Sequence, residues 1–352
     1  MWQYPISLIS YLAVATIVVW LSIRLSTFVD LLDKKTNVSG ALLGGILLAA
    51  TTSLPELFTS LTATVLVNNN SLVMGNILGS NLFNMVLFSI IYLFFFKKLV
   101  DKKVDKVHLF TMLIIGFLYT TVVIASFVFN FNNILWGWFN PMSILIVVLY
   151  AINIWKTPKE EDAKEDEGEE NPTKFDKLSV KQIVVLFIIF ALALIGASIG
   201  ITYLTQWVVD VYGFGSTFGG ALFLGVATSL PELTATINLS KRGNINAAYG
   251  NIIGSISFNF CIMSLADLFS WNCVTRTFAA DQSAFLLMVF GVAGGILLLI
   301  SLLVKRFMVL KGSIGERIYF YVTGGLIAAN YIAFLILSNI DLGISFAPYI
   351  VG

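Results

Sequence analysis

Ten predominantly apolar runs, each matching the roughly 20 residues a helix needs to cross a bilayer, dominate this chain: 6–29, 38–67, 71–96, 107–129, 134–155, 182–210, 215–239, 246–270, 283–304 and 317–339. In hydrocarbon every backbone N–H and C=O must find its partner internally, which leaves helices or closed barrels. Barrel strands would alternate in polarity over about 10 residues, whereas these runs are continuous. Composition agrees, at 58% apolar, 12% charged and a mean hydropathy of +0.89; a soluble domain carries about twice that charge fraction. The expectation is an all-α membrane protein held in lipid. Two cysteines, Cys261 and Cys273, cannot staple a disulfide scaffold, and the single His108 supplies no His/Cys metal cluster. A net charge of +1 gives no sign of a nucleic-acid partner. The first run has no basic residues ahead of it and no small-residue cleavage site, so it reads as a retained helix.

Charge placement predicts orientation. With residue 1 outside, the inner connections are 30–37, 97–106, 156–181, 240–245 and 305–317, and they hold 19 of the 21 Lys and Arg residues. Arg24 lies in the inner half of the first run and can snorkel to the same side, which leaves Arg276 alone outside. Cytoplasmic loops carry this excess, and Trp gathers at membrane interfaces; Trp2, Trp136, Trp138, Trp207 and Trp271 fall at the expected outer boundaries. Both termini are therefore expected outside an inner (plasma) membrane. Residues 156–181, KTPKEEDAKEDEGEENPTKFDKLSVK, form an acidic cytoplasmic loop that cannot bury apolar area. It divides the chain into a first five-helix unit, 1–155, and a second, 182–352.

The two units share a repeat. Residues 52–57 and 228–233 both read TSLPEL; residues 75–84, GNILGSNLFN, match residues 250–259, GNIIGSISFN, at seven of ten positions. Five expected spans separate the copies, and an odd number forces the second copy into the membrane in the opposite sense. An inverted-topology repeat is the architecture of secondary transporters.

The repeat also carries the chemistry. Of 20 acidic residues, Glu56 and Glu232 sit deep in expected spans. A carboxylate at that depth costs at least a few kcal/mol and persists where it meets a cation or a water-lined cavity. Each follows a proline, Pro55 or Pro231, which removes a backbone donor and clashes with the carbonyl four residues earlier. The freed carbonyls fall at about Ala49 and Gly225. Thr52, Ser53, Thr228 and Ser229 place hydroxyls one turn before each Glu, and the glycine-rich blocks bring Ser80, Asn84, Ser255 and Asn259 to the same depth. Every candidate ligand is an oxygen, the set that suits Ca²⁺ and Na⁺ rather than thiolate- or imidazole-seeking metals.

Thr52-Ser53-Leu54-Pro55-Glu56 with Gly75-Asn76 and Gly79-Ser80-Asn81, together with their second copies, resemble the two alpha-repeats of the cation/calcium exchanger superfamily, with sodium/calcium exchangers nearest by motif. The resemblance spans the whole ten-span plan. It implies ten transmembrane helices as two inverted five-helix repeats, with helices 2, 3, 7 and 8 broken around a diamond-shaped central site and spans 1 and 6 sliding past it as a gating pair. It also implies ion ligands at the twelve positions named above, and Ca²⁺ exchanged for Na⁺ with no resident cofactor. One departure bears on coupling: sodium/calcium exchangers typically carry an acidic residue where this chain has Asn259, and Ile256 stands where the first copy has Asn81. A two-carboxylate site of charge −2 is neutralised by one Ca²⁺ or two protons and carries +1 with three Na⁺. A proton/calcium exchanger, or transport of another divalent ion, is thus the alternative.

A passive cation channel would need rings of carboxylates or carbonyls, for which two inverted copies without a pore-loop signature are poorly suited. No His-Glu-x-x-His pattern, Ser/His pair within spans or pair of intramembrane aspartates points to an enzyme. His108, beside Lys102, Lys103 and Lys106, reads as interfacial; Cys261 reads as a packing residue; Asp210, Asp267 and Asp281 read as interfacial carboxylates. A monomer in membrane lipid, with small inorganic cations as its partners, is the expectation.

Overall fold

A computed structural model of the protein describes residues 2–36, 50–100, 102–124, 141–156, 177–270, 281–307, 314–340 and 342, and these are helical throughout apart from short connections. The helices are α1 (Gln3–Thr36), α2 (Leu54–Val65), α3 (Asn70–Phe94), α4 (Lys106–Val123), α5 (Pro141–Lys156), α6 (Val180–Tyr212), α7 (Ser216–Thr228), α8 (Leu230–Arg242), α9 (Ile245–Phe269), α10 (Gln282–Phe307) and α11 (Ile314–Leu337). Among the described residues seven helices are long and apolar enough to cross a membrane, or eight when α7 and α8, bent by 42° at their junction, count as one span. The second and fifth expected spans are described only from residue 50 and residue 141 onward. The protein is an integral membrane protein.

Burial sorts the helices into core and periphery. In α3 and α9, 72% and 67% of the apolar stretch is enclosed by protein, against 33% in α1 and 17% in α6. The exposed faces of α1 and α6 carry Ile, Leu, Val and Trp side chains, the surface expected where lipid replaces water. These two helices pack along each other. Tyr4 meets Tyr212 at 5.2 Å, a Cβ on Gly200 would lie 3.7 Å from Val14, and Phe28 meets Phe190 at 5.3 Å, so α1 and α6 run antiparallel. The central helices do the same: Asn70 bonds Ser270, Asn81 bonds Asn259, and Phe88 stacks on Tyr249 at 5.0 Å, setting α3 antiparallel to α9.

Local sequence explains the ends. Asn69 accepts the Leu72 N–H and starts α3, Ser179 and Gln182 cap each other's backbone at the start of α6, and Gly213 (φ 72°) closes that helix in a conformation only glycine adopts freely. At one end of the bundle Lys305 Nζ donates to Glu316 at 2.6 Å and to the Val100 carbonyl at 2.8 Å, while Arg306 donates to the Val104 carbonyl. These bonds tie Val100 and Val104 to α10, and α10 to α11.

Three expectations need correction. Helices 3 and 8 of the expected plan are unbroken: α3 and α9 are each continuous over 25 residues. Neither contains a proline, and their glycines narrow the helix without removing a backbone donor. The first apolar span, Gln3–Val29, ends where expected, and helix α1 continues beyond it through Thr36, since residues 30–36 contain no glycine or proline to stop it. His108 is not interfacial but enclosed, its ring edge-on to Tyr249 at 6.0 Å and in contact with the space left by Gly250. Asp267 is likewise enclosed, and accepts a hydrogen bond from Ser143 at 2.7 Å. Asp210, by contrast, is exposed and accepts from Gln206 at 2.8 Å.

Candidate functional site

Two breaks with the same construction face each other. Ser53 (φ −89°, ψ 10°) precedes α2, and Ser229 (φ −89°, ψ 3°) joins α7 to α8, each followed by a proline in the first turn of the next helix. At Ser229 the backbone N–H reaches the Ala227 carbonyl instead of the Gly225 carbonyl that a continuous helix would use. The Gly225 oxygen is thereby released sideways and accepts the Ser80 hydroxyl at 3.2 Å. Just upstream, residues Gly220–Leu224 form a π-turn, a local irregularity frequent at functional sites. Its Phe223 carbonyl takes the Tyr11 hydroxyl at 2.8 Å.

The two carboxylates are each held by a hydroxyl from the other copy. Ser53 donates to Glu232 Oε1 at 3.0 Å and Ser229 donates to Glu56 Oε1 at 3.1 Å. Ser255 adds a second bond to Glu232 Oε1 at 3.3 Å. Thr52 stands beside Glu232 and Thr228 beside Glu56. Both glutamates are fully enclosed, they repel each other, and the second oxygen of each, Oε2, has no hydrogen-bond partner. Neither meets a lysine or arginine among the described residues. Two buried carboxyl groups with bare oxygens, and no cationic side chain beside them among the described residues, form a site able to take up cations or protons.

Hydroxyls around the pair keep lone pairs to spare, since each has one proton to give and two acceptor positions. Thr228 gives its proton back to the Leu224 carbonyl at 2.8 Å, which leaves its oxygen facing Ser80 at 3.4 Å. Of the expected ligands, Thr52, Ser53, Glu56, Ser80, Gly225, Thr228, Ser229, Glu232 and Ser255 are thus brought together. Asn84 and Asn259 are fully buried in the same central helices; Asn259 bonds Asn81 at 2.9 Å, while Asn84 has no partner at either side-chain atom. Ala49 lies outside the described residues.

Two residues missed by the sequence reading position the glutamates. Asn76 Nδ2 donates to Thr59 and Ser60 at 2.9 Å each and lies 3.4 Å from the Glu56 carbonyl. Asn251 Nδ2 stands 3.4 Å from both the Glu232 carbonyl and Thr236. The signal was present, because each is the Asn of a Gly-Asn-Ile triplet. The glycine ahead of Asn76 serves close approach: a Cβ on Gly75 would lie 2.1 Å from the Thr217 carbonyl oxygen, and one on Gly79 2.4 Å from Ala221 Cα. Helices α3 and α7 therefore meet backbone to backbone.

Comparison with known proteins fits this architecture. Residues 6–156 and 182–339 match the sequence model of the sodium/calcium exchanger protein family. The chain belongs to that family, whose members are exchange transporters rather than enzymes. It is 28% identical over 219 residues to the uncharacterized membrane protein MJ0091 of Methanocaldococcus jannaschii, covering 62% of this chain and 67% of that one. It is 37% identical over 87 residues to the sodium/calcium exchanger MaX1 of Methanosarcina acetivorans, a match covering 23% of this chain and 25% of that one. Its fold resembles the crystal structure of the H⁺/Ca²⁺ exchanger CAX, with a TM-score of 0.65 at 15% identity, over 94% of this chain and 90% of that one.

Proposed function

We propose that this protein is a secondary active antiporter that exchanges Ca²⁺ for Na⁺ by alternating access at a site between Glu56 and Glu232. The observation that carries the reading is the buried carboxylate pair, each member with a bare Oε2 and no basic partner. Cargo Ca²⁺ takes about six to eight oxygens. The two Oε2 atoms, the hydroxyls of Thr52, Ser53, Ser80, Thr228, Ser229 and Ser255, and the Gly225 carbonyl offer that many; Ala49, Asn84 and Asn259 complete the proposed ligand set.

Obligate exchange follows from charge. An empty site at −2 is costly to carry through a low-dielectric core, whereas a cation-filled one is not. The cation that leaves must then be replaced before the site reorients. The antiparallel pairing of α1 with α6 and of α3 with α9 supports a plan of ten spans in two inverted five-helix repeats, 1–155 and 182–352, joined by the cytoplasmic 156–181 loop. So does the matching of the family in two stretches. The Lys/Arg bias supports both termini outside.

One observation favours a second reading. Position 259 is a neutral amide bonded to another amide, Asn81, so the site carries two carboxylates and no third. Two protons would neutralise it as fully as one Ca²⁺, and an H⁺/Ca²⁺ cycle would be electroneutral where a three-Na⁺ cycle moves charge. Uptake of ⁴⁵Ca²⁺ into vesicles under an imposed sodium or proton gradient separates the two readings. Glu56→Gln and Glu232→Gln should each abolish uptake while the protein remains folded by size-exclusion profile. Undiminished calcium flux in either variant refutes the two-glutamate site.

A further inference from the structure

The two copies are alike at the glutamates and unlike at the residue that follows Ser80 in α3 and Ser255 in α9. Asn84 and Asn259 correspond, both 175 residues apart in the repeat, and so do Asn81 and Ile256. Because the second copy has isoleucine, only one of the two paired amides gains a neighbour. Asn259 Nδ2 donates to Asn81 Oδ1 at 2.9 Å, and Asn259 Oδ1 is left without a partner. Asn84 has no partner at Nδ2 or Oδ1, and Asn81 Nδ2 has none. All three amides are fully buried. Tyr119 lies beside Asn81, with its hydroxyl over the space left by Gly291 and likewise unbonded.

Buried amides without partners are costly, and native interiors rarely keep them. Here they cluster beside a site built to receive cations, which gives their free oxygens a use when an ion and its residual water arrive. A lone carboxamide can present either its oxygen or its nitrogen. A cation accepts only the oxygen. An acceptor fixed against the Asn259 nitrogen removes that ambiguity, because it directs the Asn259 oxygen away from Asn81.

We infer that Asn81 is a positioning residue for ion binding: by accepting the Asn259 N–H it fixes the oxygen of Asn259 as the atom offered to the cation. The inference rests on the proposed two-glutamate site. It also makes the arrangement one-sided, with Asn259 oriented in advance and Asn84 oriented only by what binds. Since the site is close to symmetric elsewhere, with Ser53–Glu232 at 3.0 Å and Ser229–Glu56 at 3.1 Å, an asparagine at 256 should do for Asn84 what Asn81 does for Asn259.

The test is a symmetry exchange, read as KM and maximal rate of ⁴⁵Ca²⁺ uptake in vesicles. Asn81→Ile should raise KM for Ca²⁺ roughly tenfold, the scale of one orienting hydrogen bond, with maximal rate within about twofold. The double variant Asn81→Ile/Ile256→Asn should bring KM most of the way back. A native KM in Asn81→Ile overturns the inference. So does a raised KM that the double variant fails to lower, since loss of packing alone would not be repaired from the other copy. If Asn81→Ile does not accumulate, Asn81→Ser, too short to reach Asn259, carries the same expectation. Glu56→Gln runs alongside: transport surviving there rejects the two-glutamate reading itself, whereas an inactive Glu56→Gln with a native Asn81→Ile rejects only the role of Asn81.

Discussion

A methyl group on Gly75 tests the chain of reasoning from repeat to site. Its Cβ would lie 2.1 Å from the Thr217 carbonyl oxygen, 2.8 Å from the Ala221 nitrogen and 2.9 Å from Gly220 Cα. An ordinary carbon–oxygen approach is about 3.3 Å, so α3 and α7 must separate locally by about 1 Å. All three obstructing atoms are backbone, and no rotamer change relieves them. Overpacking of this kind costs about 1–3 kcal/mol. The functional loss should be larger than that stability loss suggests, because Ser80 lies on the same helix five residues on. Its bonds to the Gly225 carbonyl at 3.2 Å and to Thr228 at 3.4 Å have no slack for a shift of that size.

Gly75→Ala is therefore expected to lower ⁴⁵Ca²⁺ uptake by about tenfold or more, the equivalent of one lost hydrogen bond in the site, with a melting temperature lower by several degrees. Gly116→Ala is the control. It makes the same chemical change in α4, where a Cβ meets nothing within 4 Å, and should leave transport unchanged and stability equal or slightly higher. Native transport and native melting in Gly75→Ala would refute the claim that the glycine block exists to bring Ser80 against the broken helix.

The serines that cross between copies should differ in effect. Glu232 Oε1 keeps Ser255 when Ser53 is removed, whereas Glu56 Oε1 has Ser229 as its hydroxyl donor. Ser229→Ala is thus expected to raise KM for Ca²⁺ by about 10-fold or more, given about 1.5–3 kcal/mol for a hydrogen bond to a charged group, and Ser53→Ala by less; equal effects in the uptake assay would contradict this ordering. Lys305 and Glu316 form an ion pair at 2.6 Å with side chains only 5% and 4% exposed. Lys305→Met should cost about 3–5 kcal/mol, as expected when one buried charge loses its partner, and Lys305→Met/Glu316→Gln should recover much of it in thermal melts.

The site was more legible in the sequence than the helices around it. Pro55 and Pro231 mark the breaks because proline lacks a backbone donor wherever it sits, and that property needs no knowledge of neighbours. The glycine blocks were legible as close-approach surfaces for the same reason. The breaks that the family resemblance implied for helices 3 and 8 are absent, since glycine weakens a helix without deleting a hydrogen bond, and tertiary packing of α3 and α9 covers the loss. His108 misled for a different reason. A histidine near Lys102, Lys103 and Lys106 looks interfacial in one dimension; its enclosure depends on Tyr249 and Gly250, about 140 residues away. Nor does composition reveal that Ser53 serves Glu232 rather than its near neighbour Glu56. That crossing exists only once the two copies are folded against each other.

The crossing also limits what can move on the proposed reading. Sliding one copy past the other would break Ser53–Glu232 and Ser229–Glu56 together and expose two carboxylates to an apolar interior, at several kcal/mol each. The peripheral pair has no such constraint. Helices α1 and α6 hold each other along their length, and their polar ties to the core include the Tyr11 bond to the Phe223 carbonyl and the Asn69 bond to Gln206, both at 2.8 Å. Hydrogen bonds of neutral groups contribute about 0.5–1.5 kcal/mol net each, within reach of thermal exchange on the timescale of transport. On the proposed reading, motion would therefore fall to α1 and α6 against a fixed site. The Tyr11 contact at the π-turn is where that motion would meet the broken helix carrying Thr228 and Ser229.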